Sequence, residues 1–286
     1  MSNKVAILYI AIGKYINFWP DFYKSFNEKF LTKSHKEYFV FTDAHCVPFE
    51  NEDSNIHRIH QEDLGWPGDT LYRFDMFLKV ENQLKTFDYC FFMNANLVCK
   101  EYITEEEFLP RKDQLLVVKH PGYNWTNRFL LPYERDKRSA AYIPLFSKEA
   151  QYYFCGGVNG GGIEPALEMY HTLSERIRSD EEKGIIAIWN DESHLNKYMS
   201  EQNDYKYLDS SYAYPEDKDL PFPVRILILE KRKYVELSDS KKSATHSAVT
   251  KNRKQVPLML RIIVRAWNTA YCLKAKLLKH RKAQDE

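Results

Sequence analysis

Asp191 and Glu192 are adjacent carboxylates at the end of an apolar, strand-like run, Gly184-Ile185-Ile186-Ala187-Ile188-Trp189, and at the start of a helical pattern. A carboxylate pair at a helix start can supply a base or an electrostatic anchor. It can equally serve the helix, with Asp191 as the cap and Glu192 at the positive end of the dipole. Ser193 and His194 follow, but adjacent helical residues point different ways, so a Ser-His-Asp reading is weak. Asn94-Ala95-Asn96 stands after a second apolar run, Tyr89–Met93. In open α/β sheets ligands bind at the carboxyl ends of strands, and two residues at i and i+2 share a side and can address one ligand. Asparagine also favours strand-ending turns, and periodicity alone weighs toward the turn. His120-Pro121-Gly122-Tyr123 reads as a turn after another strand-like run, Leu115–Lys119, with His120 either a ligand-binding or a structural histidine.

The one glycine cluster, Gly156-Gly157-Val158-Asn159-Gly160-Gly161-Gly162, lacks the order of a dinucleotide fingerprint and the Lys-Ser/Thr of a P-loop. Glycines there let a ligand or a second backbone approach closely. Five cysteines, at 46, 90, 99, 155 and 272, include no C-x-x-C pair. Neither a zinc ribbon nor a disulfide scaffold fits, and free thiols in a reducing cytoplasm are the plain reading.

The elements that would position these residues alternate. Val5–Ile12 is an apolar run of strand length, too short to cross a bilayer and without a cleavage site after it. Trp19, Phe22, Tyr23, Phe26 and Phe30 are spaced by three and four, which predicts an amphipathic helix over Trp19–Leu31. Glu37–Thr42 reads as a strand. Asp69 can cap a helix whose face is Leu71, Phe74, Leu78 and Leu84. A helical pattern covers Glu164–Ile177, Asp217–Pro223 is a loop, and Val224–Leu229 is a final strand. This rhythm predicts an α/β domain with a largely parallel sheet.

The chain has 286 residues, 44% hydrophobic and 28% charged, which excludes disorder along its whole length. An aromatic share of 15% offers stacking surfaces for sugars or bases, or simply a tyrosine-rich core. Net charge is +1, unevenly spread: Lys241–Glu286 holds 12 basic and 2 acidic residues, against 29 basic and 38 acidic in the remainder. In the tail, Leu260, Ile263, Val264, Trp267, Tyr271, Lys274 and Leu278 step by three and four along one largely apolar face. A basic helix of this kind suits an anionic membrane interface, or it can dock on the acidic globule. Nucleic acid is not expected as a partner. The expected division is a catalytic domain over 1–237 and a basic, helical extension over 238–286.

Five segments occur in order: Tyr38-Phe39-Val40-Phe41-Thr42-Asp43, His120-Pro121-Gly122-Tyr123, Tyr133-Glu134-Arg135, Ala141-Tyr142-Ile143-Pro144, and Trp189-Asn190-Asp191-Glu192-Ser193-His194-Leu195-Asn196-Lys197-Tyr198. Together they resemble glycosyltransferase family 6, which includes the mammalian histo-blood-group A and B transferases and the α-1,3-galactosyltransferases. The resemblance covers roughly Val5 to Lys233. It implies a GT-A fold, a UDP-sugar donor, retaining transfer, and a β-galactoside acceptor that often carries fucose, as in 2′-fucosyllactose. With no animal-type anchor, the chain looks like a bacterial member. That implies a cytoplasmic enzyme, with the basic tail offering a peripheral hold on the inner face of the membrane.

Animal members hold Mn²⁺ with Asp-x-Asp, where this chain has Asn94-Ala95-Asn96. Amides carry no charge, and hard cations prefer carboxylates. The resemblance therefore points to the Asn-x-Asn type that needs no metal and no other cofactor. By the same resemblance Lys231 contacts the donor phosphates, Arg73 approaches the donor sugar, and Ile10, Ile12 and Tyr15 cradle uracil and ribose. Asp191 binds donor hydroxyls, and His120 and Trp189 shape the acceptor site. Glu192 is the catalytic carboxylate beside the reacting carbon and the acceptor, either as nucleophile or as stabiliser of an oxocarbenium-like state. Cys155-Gly156-Gly157 falls where the family separates donors, and two glycines leave room for an N-acetyl group, which favours UDP-GalNAc over UDP-Gal. Pro132 and Pro215 replace polar residues on the acceptor side. A catalytically inactive, glycan-binding homologue is the alternative from another class, and the retained Glu192 argues against it.

Overall fold

The computed structural model describes residues 2–235. The first half of the chain runs β1 (Lys4–Ile10), α1 (Trp19–Lys29), β2 (His35–Thr42), β3 (Ile56–His60), α2 (Gly65–Leu71), α3 (Arg73–Leu78), α4 (Glu81–Leu84), β4 (Tyr89–Met93), β5 (Leu97–Cys99), α5 (Glu105–Phe108) and β6 (Leu115–Lys119). After a long irregular segment come β7 (Phe154–Gly162), α6 (Ile163–Glu182), α7 (Asp191–Met199), β8 (Tyr205–Leu208), β9 (Tyr214–Pro215), β10 (Ile226–Ile228) and α8 (Lys231–Tyr234).

β1 organises the rest because Val5 through Tyr9 are apolar on both faces and fully buried. Such a strand belongs inside a sheet that is covered on both sides. The period of two sorts its side chains: Val5, Ile7 and Tyr9 enter one core, Ala6 and Leu8 the other. β2 and β4 flank it in parallel and divide the same way, with Tyr38, Val40, Phe91 and Met93 on the first side and Phe39, Phe41, Cys90 and Phe92 on the second. The apolar stripe of α1, Trp19, Phe22 and Phe26, closes the first core, where Phe22 and Phe26 stack at 4.2 Å. α3 and α6 close the second with Phe74, Phe77 and Tyr170.

Seven strands form the main sheet in the order β3-β2-β1-β4-β7-β6-β8. Its pairings are parallel except those of β7, which runs antiparallel to both neighbours, β4 and β6. The largely parallel α/β sheet expected for a GT-A fold is thus present, with one central strand reversed. That strand is the glycine cluster. A Cβ at Gly161 would lie 2.4 Å from the Gln114 carbonyl oxygen, and one at Gly162 would lie 1.7 Å from that of Lys112. The close approach of a second backbone, expected from the glycines, is therefore real at this end of the cluster.

Two expectations need correction. The helix capped by Asp69 is instead three short helices, broken at Tyr72 (φ −95°, ψ 19°) and at Val80 (φ −112°, ψ 18°). Asp69 lies inside α2, and its carboxylate accepts the Leu64 N–H at 2.9 Å from one turn further on. The apolar face survives the breaks, since Leu71, Phe74 and Leu84 are buried. The strand expected over Val224–Leu229 shortens to β10, which leaves the main sheet and pairs with β5 and β9. Among the described residues no helix is long and apolar enough to cross a membrane. The division at 237/238 and the tail helix fall outside the described residues.

Candidate active site

The carboxyl end of β4 carries the first part of the site. Asn94 donates its backbone N–H to the Gly157 carbonyl at 2.9 Å, joining the strand end to β7. The Asn94 amide donates to Asn96 Oδ1 at 3.0 Å, so the two side chains do share a side. Asn96 is buried, and its amide donates to the Leu229 carbonyl at 2.6 Å while Leu229 N–H returns to the Asn96 carbonyl at 2.8 Å. Tyr9 adds a hydroxyl bond to the Ala95 carbonyl at 3.0 Å. Asn96 is thus a brace that fastens the end of β10, and with it the start of α8, beside the strand end.

That brace places Lys231, the first residue of α8, with its ammonium 5.3 Å from the centre of the Tyr15 ring. Tyr15 sits in the short turn that follows β1, where Gly13 N–H donates to Asp43 at 2.8 Å. Ile12 is buried and Ile10 half-buried at the same strand end. Lys231 and Tyr15 are thus neighbours, and Ile10 and Ile12 stand at the carboxyl end of β1, from which the segment carrying Tyr15 departs.

The second part is charged. Asp191 and Glu192 form the first turn of α7, with Asn190 as the cap position, so Asp191 is inside the helix rather than capping it. Asp191 is 2% exposed, and its Oδ2 lies 3.1 Å from Arg73 Nε. Burial pushes Asp191 up to about 7 despite the pull of Arg73, and Glu192 pushes the same way. Arg73, the first residue of α3, also donates to the Thr70 and Gly156 carbonyls at 3.1 and 2.9 Å, with its guanidinium 4.6 Å from the Phe92 ring centre. Glu192 accepts the Gly156 N–H at 2.7 Å. Burial raises its pKa, and that N–H, Tyr153 and Arg73 pull it back.

Gly156 is where these contacts meet. Its N–H holds Glu192, and its carbonyl takes Arg73 and the Asn159 amide. A Cβ there would stand 3.3 Å from Asp191 Oδ2 and 3.4 Å from Glu192 Cβ. A Cβ at Gly157 would stand 3.4 Å from Asn94 Cβ. The two glycines thus form a bare floor between the asparagines and the carboxylates. Cys155 is buried in the first core, and burial, with Glu192 behind it, pushes its thiol up to about 12.

On the far side, His120 packs against Tyr123 and Tyr153 at 4.8 and 5.8 Å. Its Nδ1 accepts the Gly122 N–H at 3.0 Å, which leaves the ring hydrogen on Nε2. Burial and Lys218 lower its pKa to about 4, so the ring is neutral near pH 7. Trp189 packs on the cluster of Leu131, Tyr133, Ile143, Ala150 and Tyr153, and its buried indole N–H has no hydrogen-bond partner among the described residues.

Two contributors were given no role by the sequence, although Asn196 lies within one of the quoted family segments. Burial raises the Tyr153 hydroxyl far above its usual range, with the Glu192 carboxylate adding to this, and the Tyr153 ring packs on His120 and Tyr123 at 5.8 and 5.3 Å. Asn196 bonds both poles of Phe154, at 2.8 Å to its N–H and 2.9 Å to its carbonyl, which fastens α7 to β7. Ser193 and His194 diverge as expected: Ser193 Oγ accepts the Trp189 N–H at 3.0 Å, while buried His194 stands 3.7 Å from Asp180.

Asn94 and Asn96 do not fit a hard divalent cation. Their amides are neutral, and the Asn96 amide already spends its oxygen on Asn94 and its nitrogen on Leu229. Among the described residues no three His, Cys, Asp or Glu side chains gather into a group that could hold a metal ion.

Residues 2–237 match the model of a protein family described as glycosyltransferase family 6. The chain is 34% identical over 229 residues to the O-antigen biosynthesis glycosyltransferase WbnI of Escherichia coli, covering 80% of this chain and 95% of the relative. It is 28% identical over 243 residues to a globoside alpha-1,3-N-acetylgalactosaminyltransferase of Gallus gallus, covering 81% of this chain and 68% of the relative. It is 27% identical over 240 residues to a histo-blood group ABO system transferase of Rattus norvegicus, covering 82% and 66%.

Proposed function

Because the chain belongs to glycosyltransferase family 6 and is therefore a UDP-sugar-dependent hexosyltransferase, we propose that it moves GalNAc from UDP-GalNAc onto a β-galactoside in α-1,3 linkage, with retention and without a metal ion. One observation carries this reading: Asp191, Glu192 and Arg73 converge on the side-chain-free floor at Gly156. The choice of GalNAc rests on the family resemblance at Gly156 and Gly157, where a larger residue would press on Asp191, Glu192 or Asn94, which a Cβ already meets at 3.3 to 3.4 Å. The names of the avian and rodent relatives, a globoside N-acetylgalactosaminyltransferase and an ABO system transferase, agree with that choice. The name of the bacterial relative suggests that the acceptor is a galactoside within a bacterial surface glycan.

In this reading Glu192 lies beside the reacting carbon and stabilises the positive charge that develops there. Its hydrogen bond from Gly156 holds the carboxylate in place without reorganisation. Asp191 and Arg73 bind the sugar hydroxyls. Lys231 supplies the positive charge that stabilises the departing diphosphate in place of a cation. Neutral His120 can donate from Nε2 to the acceptor, and Trp189 offers its indole face and N–H.

The test is transfer from UDP-GalNAc and from UDP-Gal to 2′-fucosyllactose, each with EDTA and with Mn²⁺, with the product linkage read by NMR. The expected outcome is an α-1,3-linked GalNAc product at a rate indifferent to EDTA. Faster use of UDP-Gal would make the protein a galactosyltransferase, and strong stimulation by Mn²⁺ would overturn metal independence. No transfer from either donor to any galactoside would favour a glycan-binding homologue.

A further inference from the structure

The chain enters α7 through a backbone conformation that a residue with a Cβ seldom holds. Asn190 has φ 51° and ψ −129°. A non-glycine residue there is strained, and it persists only where its surroundings over-determine it. On the helix side the determinants are local: Trp189 N–H donates to Ser193 Oγ at 3.0 Å, and Glu192 N–H donates to the Trp189 carbonyl at 3.1 Å. On the other side stands a carboxylate that the proposed chemistry does not use.

Glu134 is 0% exposed. One oxygen accepts the Ile188 N–H at 2.7 Å, and the other accepts the N–H groups of Arg135 and Asp136, each at 2.8 Å. Burying a carboxylate is unfavourable unless such charge-assisted bonds replace its water. The segment that carries Glu134 is itself fixed. Arg135 donates to the Ile143 and Pro144 carbonyls at 2.6 and 2.8 Å, and Asp180 accepts from Ser139 Oγ and the Ala140 N–H at 2.5 and 2.6 Å. Glu134 therefore grips the backbone two residues ahead of the strained position from a rigid base.

We propose that Glu134 is a positioning residue for the transfer reaction: its hold on the Ile188 N–H fixes the strained turn at Asn190, and that turn sets the direction in which Asp191 and Glu192 approach Gly156. The inference rests on Glu192 acting at the reacting carbon. Glu134 forms no part of the floor or of the Tyr15–Lys231 pair, so the role is one of orientation rather than contact.

Glu134→Gln keeps the size of the side chain but sets an NH₂ group against a backbone N–H. UDP binding, measured by calorimetry, is expected to stay at the wild-type level. Transfer kcat is expected to fall by about 10²-fold, the scale that a misplacement of roughly 1 Å carries, and the pH–rate profile is expected to shift because Asp191 and Glu192 change surroundings. Amide-exchange mass spectrometry over residues 185–195 is expected to show lost protection at Ile188, a readout that needs no turnover. Asn190→Gly is the second variant. It relieves the strain without touching Glu134, so it is expected to keep or raise the melting temperature while lowering kcat. Wild-type kcat and pH profile in Glu134→Gln, wild-type kcat in Asn190→Gly, or full protection at Ile188 in Glu134→Gln would each overturn the inference. If Glu134→Gln does not fold, Glu134→Asp, which keeps the charge but draws the carboxylate back from the Ile188 N–H, is expected to lower kcat with UDP binding intact, and wild-type kcat there would overturn the inference. A wild-type enzyme without transferase activity would instead defeat the proposed function, and the exchange measurement would still judge the grip on Ile188.

Discussion

The two sides of the Gly156–Gly157 floor hold polar side chains in place by opposite means. On the Asn94–Asn96 side the contacts are neutral: an amide to an amide at 3.0 Å and an amide to a carbonyl at 2.6 Å. On the α7 side they are ionic, with Asp191 against Arg73 at 3.1 Å and Glu192 on a backbone N–H at 2.7 Å. Neutral hydrogen bonds brace the strand end to β10 without creating a field. Charged groups brought out of water create one, and burial lifts both carboxylates above their usual range. On the proposed function, the difference suits support on the asparagine side and chemistry on the α7 side.

The sharpest way to break that assignment is Glu192→Gln. The amide oxygen can still accept the Gly156 N–H, so the fold and UDP binding should persist. Transfer should fall by about 10²–10⁴-fold, the range for a positioned catalytic side chain. Steady-state kinetics beside UDP calorimetry decide it, and wild-type turnover would move the chemistry elsewhere.

Next in size is the pH dependence of stability. Folding raises Asp191 to about 7, while the unfolded carboxyl titrates near the ordinary aspartate value of about 3.9. Between those values the folded state binds more protons than the unfolded state, so stability falls as pH rises. The contribution is whole below about pH 4 and lost once pH passes about 7, a change of roughly 2–4 kcal/mol. Urea midpoints across that window should slope downward in the wild type and flatten in Asp191→Asn. Equal slopes would mean that the charge on the α7 side is not held as described.

Asn96→Asp tests the neutral side. It turns the donor facing the Leu229 carbonyl into an acceptor, leaving two oxygens opposed. A loss of about 1–3 kcal/mol in urea unfolding at neutral pH is expected. Adding Asn94→Asp should not produce Mn²⁺-stimulated turnover, because the groups that would orient such a ligand pair are committed elsewhere. Unchanged stability together with metal stimulation would make this side a dormant cation site rather than a brace.

Much of the scaffold was legible because it is written in local patterns. The runs Tyr89–Met93 and Leu115–Lys119 became β4 and β6 with the expected bounds. The stripe from Trp19 to Phe26 became the buried face of α1. Asp191 and Glu192 were visible as a pair because the apolar run Ile185–Trp189 ends one residue before them and a helix begins with them. The fragmented helices from Gly65 to Leu84 were misread because the apolar spacing continues through breaks at Tyr72 and Val80 that spacing alone does not register.

What the sequence by itself determined is therefore what neighbours within a turn or a strand decide: which residues are apolar on which face, where the carboxylates sit, and, through its quoted segments, the family. What only the tertiary structure decided are the partners. Asn96 and Leu229 are 133 residues apart, Arg73 and Gly156 83, Glu134 and Ile188 54. In each pair one partner is a backbone N–H or carbonyl, a group that nearly every residue carries and that leaves no mark in the sequence. Side-chain type announces that a hydrogen bond will be needed. Only the packing of β4, β7, α3 and α7 against one another selects which of many equivalent backbone groups will meet it.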